Sequence, residues 1–223
     1  MKIVVLAGLA DSLVNFRRAL LAAMVDAGHE VVACAPEDDV EVIDQLRAMG
    51  IRYHRVSMQR TNRNPFSDLR TLMDYVRLLH RERPDIVLAY TQKPIIYGGI
   101  ATRIVGGIRF FAMVSGLGYV FTEEEGKSRR TLQRIVAALY RLGVRKAQTI
   151  FVFNRDDRGE MLRHGIAGSK HHFVQVPGSG IDIAHFPARL VPEGPPVFLL
   201  IARLLKDKGL LEYVEAARRL RAL

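Results

Sequence analysis

Short apolar runs alternate with helix-length amphipathic segments through the first 176 residues. Seven of these runs are typical of strands buried in a parallel sheet. The predicted strands are Ile3–Ala7, Glu30–Ala35, Ile51–Val56, Ile86–Ala89, Phe110–Val114, Thr149–Phe153 and Phe173–Val176. Six amphipathic segments lie between them, several ended by a glycine such as Gly28, Gly50 or Gly165. Strands and helices that alternate through short loops indicate an α/β fold, a doubly wound, Rossmann-like parallel sheet.

The predicted helices cover about residues 12–28, 39–49, 67–82, 94–106, 129–146 and 155–164. Ser12 is a candidate N-cap of the first helix, and Asp11, one place earlier, is the alternative. Glu37, Asp38 and Asp39 come just before the second helix, where acidic side chains favour the positive end of the helix dipole. We interpret this acidic run as a helix start, and not as a metal-binding D-x-D motif.

The pattern changes after Gly180. Residues 182–196 contain four prolines and no periodicity, which is typical of a linker. An apolar run over 197–202 and one more helical segment follow, and a single strand and helix cannot bury a core. We therefore expect an N-terminal domain over 1–181, a linker over 182–196, and the first strand and helix of a second, truncated Rossmann-like domain over 197–223.

Composition narrows the class of protein. The chain has 223 residues, a net charge of +10 and one cysteine, Cys34, so it cannot form an internal disulfide. The single cysteine favours a cytoplasmic location for the protein. No apolar run is long enough to span a bilayer. Residues 127–146 carry seven basic and no acidic side chains, but no nucleic-acid-binding motif accompanies them, so we expect no nucleic-acid partner.

Several catalytic signatures are absent from the sequence. The first strand is followed by one glycine, Gly8, and not by G-x-G-x-x-G, which disfavours a dinucleotide oxidoreductase. Walker A, H-E-x-x-H and G-x-S-x-G patterns do not occur either. His164, His171 and His172 are close in sequence, but we interpret them as surface residues at a helix end and not as a metal site.

Ligands of open α/β sheets bind where the strands end at their carboxyl side. Lys93 and Tyr97 follow the fourth predicted strand. Two interpretations of Lys93 are open: it binds an anionic acceptor, or it is a solvated surface lysine. Gly116 and Gly118 follow the fifth strand, where a G-x-G pair is also explained by a tight turn.

The strongest local signal lies in the last segment. Arg203 follows the predicted strand directly, and Lys208 with Gly209 precedes the last helix. Two cations beside the amide groups of a helix N-terminus suit a diphosphate, whose negative charge both can stabilise.

Three stretches carry a family resemblance. Residues 198–212, FLLIARLLKDKGLLE, resemble the G-R-L-x-x-x-K-G signature of retaining GT-B glycosyltransferases, family four of that classification. Residues 177–187, PGSGIDIAHFP, resemble the N-G-V-D-x-x-x-F-x-P segment that precedes the donor domain. Residues 90–101 together with 115–122 are similar to a subgroup that transfers sugars to polyprenyl-diphosphate carriers in capsule, O-antigen or glycan assembly.

The resemblance implies roles for individual residues. Arg203 and Lys208 would contact the diphosphate of a nucleotide-sugar donor such as a UDP-sugar, and Gly8 would approach the donor sugar closely. The acceptor would be bordered by Lys93, Tyr97, Gly116, Gly118 and Tyr119. The family uses cations in place of a metal ion, so no metal and no other cofactor is expected. No catalytic residue is assigned.

The sequence departs from the family pattern at three points. Pro177–Gly180 lacks the usual asparagine, and Ala202 replaces the glycine before Arg203. The E-x7-E motif that holds the donor lies beyond residue 223, so we expect this chain not to catalyse transfer alone.

A basic ridge marks the helix predicted over 129–146. Arg130, Arg134, Arg141 and Arg145 share one face, and Leu132, Ile135, Val136, Leu139 and Leu142 are predicted to form an opposite face that packs on the sheet. The ridge is either an ordinary solvated surface or a contact with anionic lipid headgroups. We predict peripheral attachment to the inner face of the plasma membrane.

The function that follows is transfer of a sugar, with retention, from a nucleoside-diphosphate donor to a lipid-linked saccharide in bacterial cell-surface polysaccharide biosynthesis. Two alternatives stay open. One is a sugar-nucleotide epimerase of GT-B shape; the other is a non-catalytic acceptor-binding half that needs a partner chain. An exposed half-domain surface also favours a homodimer, which light scattering would test.

Overall fold

The computed structural model describes residues 1–59, 64–121, 127–184, 186–190, 193–202, 204 and 208–221, with backbone alone at Tyr119 and at 127–129. All seven predicted strands are present. They are β1 (Lys2–Leu6), β2 (Glu30–Ala35), β3 (Arg52–Arg55), β4 (Ile86–Tyr90), β5 (Arg109–Val114), β6 (Ala147–Val152) and β7 (Phe173–Gln175). They form one sheet in the order β3-β2-β1-β4-β5-β6-β7, and every pairing is parallel. The predicted doubly wound parallel sheet is confirmed.

Eight α-helices and one short 3₁₀-helix, Tyr119–Phe121, connect or follow these strands among the described residues. The α-helices are α1 (Asp11–Asn15), α2 (Arg18–Asp26), α3 (Val40–Ala48), α4 (Pro65–Glu82), α5 (Gln92–Val105), α6 (Lys127–Val144), α7 (Arg155–Arg163) and α8 (Leu210–Arg221).

The helices cover both faces of the sheet. Leu13, Leu21 and Leu46 of α1 to α3 pack in one apolar cluster with the side chains on one face of the central strands. Helices α4 to α7 pack in a second cluster with the alternate side chains of the same strands, such as Val4 and Leu6 of β1. The winding reverses between β1 and β4. In this class of sheet, the carboxyl ends of the strands on either side of that reversal enclose the ligand site.

The first predicted helix is broken in two. Helix α1 ends at Asn15, and α2 begins at Arg18, so Phe16 and Arg17 lie between them. The two capping expectations for this helix are wrong. Asp11 is the first residue of α1, Ala10 occupies the N-cap position, and Ser12 makes no capping hydrogen bond. By contrast, the acidic run before α3 behaves as predicted, because Asp39 caps that helix by accepting from the Val42 amide at 3.1 Å.

Helix α6 packs on the sheet with only part of the predicted apolar face. Leu132, Val136 and Leu139 are partly buried against the core, as predicted, whereas Ile135 and Leu142 are exposed. The fully buried side chains of the helix include Ala137, Tyr140 and Val144 instead. The reason is a close crossing with α5. A side chain on Gly143 would lie 2.7 Å from the Ile96 Cα atom, so the glycine must face α5, and that contact sets the rotation of α6.

The chain divides into two compact units, Met1–Asp182 and Ile183–Leu223. In the second unit, residues 197–202 form no strand, contrary to prediction. The described residues of this unit offer no other strand, and an extended segment becomes a strand only when a neighbour pairs with its amide and carbonyl groups. Four apolar side chains of the segment are 69–90% exposed, at Val197, Phe198, Leu199 and Ile201. Tyr213 of α8 donates a hydrogen bond to the carbonyl oxygen of Phe198 at 2.8 Å.

Candidate functional site

A cavity of about 450 Å³ opens at the carboxyl edge of the sheet. This volume lies in the range of small-molecule sites. Loops that follow β1, β3, β4, β5, β6 and β7 contribute to its walls, together with the break between α1 and α2. The lining residues are Gly8, Leu9, Ser12, Phe16, Arg17, Met58, Tyr90, Thr91, Gln92, Lys93, Pro94, Ser115, Phe153 and Ser179. The sequence-predicted residues Gly8 and Lys93 are therefore brought into one site.

Gly8 is required by a close contact with Thr91, which follows the neighbouring strand β4. A side-chain carbon at this position would collide with the Thr91 Oγ1 atom. Thr91 has φ 68° and ψ 159°, a backbone conformation that side chains rarely adopt, and its Oγ1 atom is buried without a hydrogen-bond partner among the described residues. Strain of this kind persists only where the surrounding structure holds it, and such positions cluster at binding sites.

Ser12 and Tyr90 form a hydrogen-bonded pair in the wall of the cavity. The Ser12 hydroxyl donates to the carbonyl oxygen of Leu9 at 2.6 Å, so Tyr90 Oη donates to Ser12 Oγ across 2.9 Å. Burial raises the pKa of Tyr90 to about 12, which keeps the phenol protonated. The β1–α1 loop is held further by Glu37, whose Oε2 atom accepts from the Ala10 amide at 2.8 Å.

Arg17 is the charged group at the back of the cavity. Its exposed fraction is 6%, and burial lowers its pKa. The guanidinium lies over the Tyr90 ring, 4.9 Å from the ring centroid, and over Phe153 at 5.6 Å. Its Nη1 atom donates to the Phe16 carbonyl at 3.1 Å and to Ser179 Oγ at 2.5 Å.

Lys93 also lines the cavity, but its charge is compensated. Its Nζ atom forms an ion pair with Asp68 Oδ1 at 2.7 Å and donates to the Gln59 carbonyl at 2.8 Å. Tyr97 does not line the cavity. It is buried in the core between the sheet and helices α4 to α6, and burial, together with a hydrogen bond to Asp68, raises its pKa.

The loop after β5 reaches the cavity through Ser115. Gly116 and Gly118 both have positive φ, 114° and 85°, as a tight turn requires, and neither lines the cavity. Gly118 lies next to Gln92, which does line it. The side chain of Tyr119 is outside the described residues. The acceptor roles of these residues stay predictions.

The two predicted donor-binding cations belong to the second unit. Arg203 lies outside the described residues. Lys208 is exposed and comes just before Gly209, which has φ 70° and precedes α8. The structure therefore leaves the predicted diphosphate contacts untested.

The arginine ridge borders a second cavity of about 470 Å³ along α6. Arg130, Arg134 and Arg141 line it together with His164, whereas Arg145, which is also exposed, does not. Arg141 Nε donates to the Gly165 carbonyl, which connects α6 to the end of α7.

The part of the chain that the structure describes has no group of three or more His, Cys, Asp or Glu side chains placed to share a metal ion. A metal-free reaction stays a prediction.

Sequence reasoning missed Arg17, Ser12 and Tyr90, although the sequence contains a signal for Arg17. Leu13, Arg17 and Leu21 are spaced four residues apart, so an arginine occupies the middle of an apolar stripe. Both leucines are fully buried. A cation in such a stripe indicates a buried charge with a specific role.

Comparisons with known proteins define the class. The sequence matches the glycosyl transferase 4-like domain over residues 14–177, so the chain belongs to that family. It is 26% identical over 235 aligned residues to the N,N'-diacetylbacillosaminyl-diphospho-undecaprenol alpha-1,3-N-acetylgalactosaminyltransferase of Campylobacter jejuni. That alignment covers 99% of this chain and 61% of the transferase, so the chain spans less than two thirds of its relative.

Two solved structures show the same fold. A glycosyltransferase from Rickettsia africae has a TM-score of 0.62 and 17% identity, covering 99% of this chain and 57% of that one. A UDP-N-acetylglucosamine 2-epimerase has a TM-score of 0.57 and 15% identity, covering 87% and 53%. Since transferases and an epimerase share this fold, the fold alone does not separate the two activities. Among the described residues, no helix is long and apolar enough to cross a membrane.

Proposed function

We propose that this chain is the acceptor-binding part of a glycosyltransferase that moves a sugar, with retention, from a nucleoside-diphosphate donor to a lipid-linked saccharide. The observation that carries the proposal is the match along 99% of the chain to a transferase whose name gives a diphospho-undecaprenol sugar as the acceptor. The cavity supports it, because it lies where Rossmann-like sheets bind ligands and combines a cation, hydroxyl groups and apolar walls.

Titration of the chain, by calorimetry, tests this assignment. The ligands are UDP, UDP-N-acetylglucosamine and a water-soluble polyprenyl-diphosphate saccharide analogue. We expect the acceptor analogue to bind and UDP to bind weakly or not at all. Tight nucleotide binding without acceptor binding would contradict the assignment and favour the epimerase alternative.

We further propose that the outer surface of α6 contacts an anionic membrane at the cytoplasmic face. Arg130, Arg134 and Arg141 on the helix and Arg145 just after it are exposed and supply positive charge. Ile135 and Leu142, 55% and 42% exposed, lie on the same helix. Basic and exposed apolar side chains on one helix surface are typical of helices that lie in the headgroup layer. The second cavity, lined by Arg130, Arg134, Arg141 and His164, is suited to a headgroup phosphate.

Vesicle flotation tests the membrane contact. The double variant Arg134→Glu with Arg145→Glu spares Arg141, which has a structural hydrogen bond. Each basic residue near an anionic surface contributes on the order of 1 kcal/mol, so we expect at least about a tenfold loss of partitioning into phosphatidylglycerol vesicles. The matched control is Arg18→Glu with Arg47→Glu, on helices of the opposite face of the sheet. Equal partitioning of both doubles, or equal binding to phosphatidylcholine vesicles, would argue against the contact.

A further inference from the structure

Arg17 is a buried cation whose charge the described structure leaves uncompensated. Its side chain is 94% buried by area, since its exposed fraction is 6%. Among the residues that the structure describes, no carboxylate lies within ion-pair distance of it, and its Nε atom is buried without a hydrogen-bond partner. Burying a charge without an opposite charge is costly. A ligand that supplies the missing anion would remove that cost.

The chain folds locally to place this cation inside. At the break between α1 and α2, Phe16 is 62% exposed and Arg17 is buried, the reverse of the burial that the two side chains prefer. Departures from the ordinary pattern are expected at functional or strained positions.

The guanidinium is held in a fixed orientation. Tyr90 and Phe153 hold it through their ring faces, and Nη1 is anchored by Ser179 and by the Phe16 carbonyl. Nε and Nη2 make no hydrogen bond to a described residue. Nε is fully buried, whereas Nη2 is not among the buried unpartnered atoms, so Nη2 is the nitrogen left to donate to a phosphate oxygen in the cavity.

The rest of the cavity wall carries no negative charge that would repel an anion. None of its lining residues is acidic, and the other lining cation, Lys93, is paired with Asp68. Arg17 therefore gives the wall an uncompensated positive charge. Of the groups on a nucleotide sugar or a lipid-linked saccharide, the diphosphate is the strongly anionic one.

We propose that Arg17 binds a phosphate oxygen of a substrate diphosphate in this cavity. The identity of the ligand as a diphosphate rests on the proposed function; the anion site itself rests on the geometry of Arg17. The diphosphate belongs either to the nucleotide-sugar donor or to the lipid-linked acceptor, which share this chemistry.

The test compares the adjacent arginines. Inorganic pyrophosphate is titrated by calorimetry into the wild-type chain and into Arg17→Met, Arg17→Lys and Arg18→Met. Arg18 is exposed on α2 and bonded to Gln45 at 3.0 Å, so it is a matched control. We expect Arg17→Met to lose affinity by about tenfold or more, Arg17→Lys to lose less, and Arg18→Met to bind as the wild type does. Arginine-selective ¹⁵Nε spectra of the wild type need no variant and should show the Arg17 resonance shifting with pyrophosphate.

Two further titrations identify the source of the diphosphate. Loss of affinity in Arg17→Met for a short-chain polyprenyl-diphosphate saccharide assigns the site to the acceptor, and loss for UDP assigns it to the donor. Equal affinity of the wild type and Arg17→Met for all three ligands, absence of any pyrophosphate binding, or an equal loss in Arg18→Met would overturn the proposal. Pyrophosphate binding at Arg17 in a chain that binds no saccharide acceptor would keep the anion site and reject the proposed function instead.

Discussion

The buried charges at the two edges of the sheet differ in whether an opposite charge compensates them. At the amino edge, Glu82 is 7% exposed and forms a two-point contact with Arg52, at 3.2 and 2.7 Å. Lys2 lies 3.4 Å from Glu82, and Glu30 completes the cluster by pairing with both cations. At the carboxyl edge, Arg17 is equally buried but has aromatic rings and hydroxyl and carbonyl oxygens as neighbours, and no described carboxylate pairs with it.

The difference separates two uses of charge in one domain. Where a buried charge has its partners, removal of one partner is strongly destabilising, because it leaves the other charge buried and uncompensated. A buried charge without a counterion lowers stability, and it persists where it serves binding. Substitutions at the two edges should therefore change different properties of the protein.

The largest expected effect is at the amino edge. Glu82→Gln removes the charge that Arg52 and Lys2 share and leaves the exposed Glu30 as their partner. We expect the free energy of unfolding to fall by about 2–3 kcal/mol, less than the roughly 3–5 kcal/mol of a fully buried pair, because the two cations are partly exposed. Urea denaturation measures it. Glu30→Gln is the control and should cost less than about 1 kcal/mol. If the two variants lost the same stability, burial of Glu82 would not matter.

The stability difference between the wild type and Glu82→Gln should depend on pH. Hydrogen bonds from Arg52 lower the pKa of Glu82 to about 2. A carboxylate with a lowered folded-state pKa contributes stability above its unfolded pKa, and this contribution is lost as the pH falls through the folded pKa. The stability difference between wild type and Glu82→Gln should therefore shrink between about pH 5 and pH 2. A difference that stays constant over this interval would contradict the assignment.

Gly8 gives a smaller effect at the carboxyl edge. Gly8→Ala places a carbon against Thr91 Oγ1 and should cost about 1–3 kcal/mol through overpacking. In the Thr91→Ala background the nearest remaining contact is the Cβ atom at 3.4 Å, so most of the cost should disappear. The coupling energy of this double-mutant cycle, from urea denaturation, measures the contact. Additive costs would mean that Gly8 is needed for another reason.

The strands were predictable because their signal is local. Glu30–Ala35 was predicted to the residue as β2, since a strand buried on both faces has a continuous apolar run wherever it occurs in the chain. The gathering of Gly8 and Lys93 at one edge follows from the parallel connections, whereas the order of the strands was not predicted.

The features that were missed depend on contacts between distant residues. The break before Arg17 involves contacts with Tyr90, Phe153 and Ser179, which follow or end three other strands. The rotation of α6 depends on the contact of Gly143 with α5. An apolar run such as 197–202 predicts a strand only if a partner is available. Apart from the apolar stripe that contains Arg17, these features leave no periodic signal in the sequence.

The smallest expected effect is that of Arg17→Met on the free energy of unfolding. It is the most informative for the comparison, because its sign is opposite to that of Glu82→Gln. Arg17→Met keeps a long side chain between Tyr90 and Phe153 and removes the uncompensated charge. We expect the free energy of unfolding to rise by about 1 kcal/mol, as buried charges replaced by apolar groups often stabilise a fold. Arg18→Met, on the surface, should change it by less than about 0.5 kcal/mol. A gain in stability joined to a loss of pyrophosphate affinity identifies Arg17 as a binding residue maintained at the expense of the fold. A loss of stability like that of Glu82→Gln would instead mean that the guanidinium holds the β7 loop and the α1–α2 break together, and that both edges of the sheet use charge in the same way.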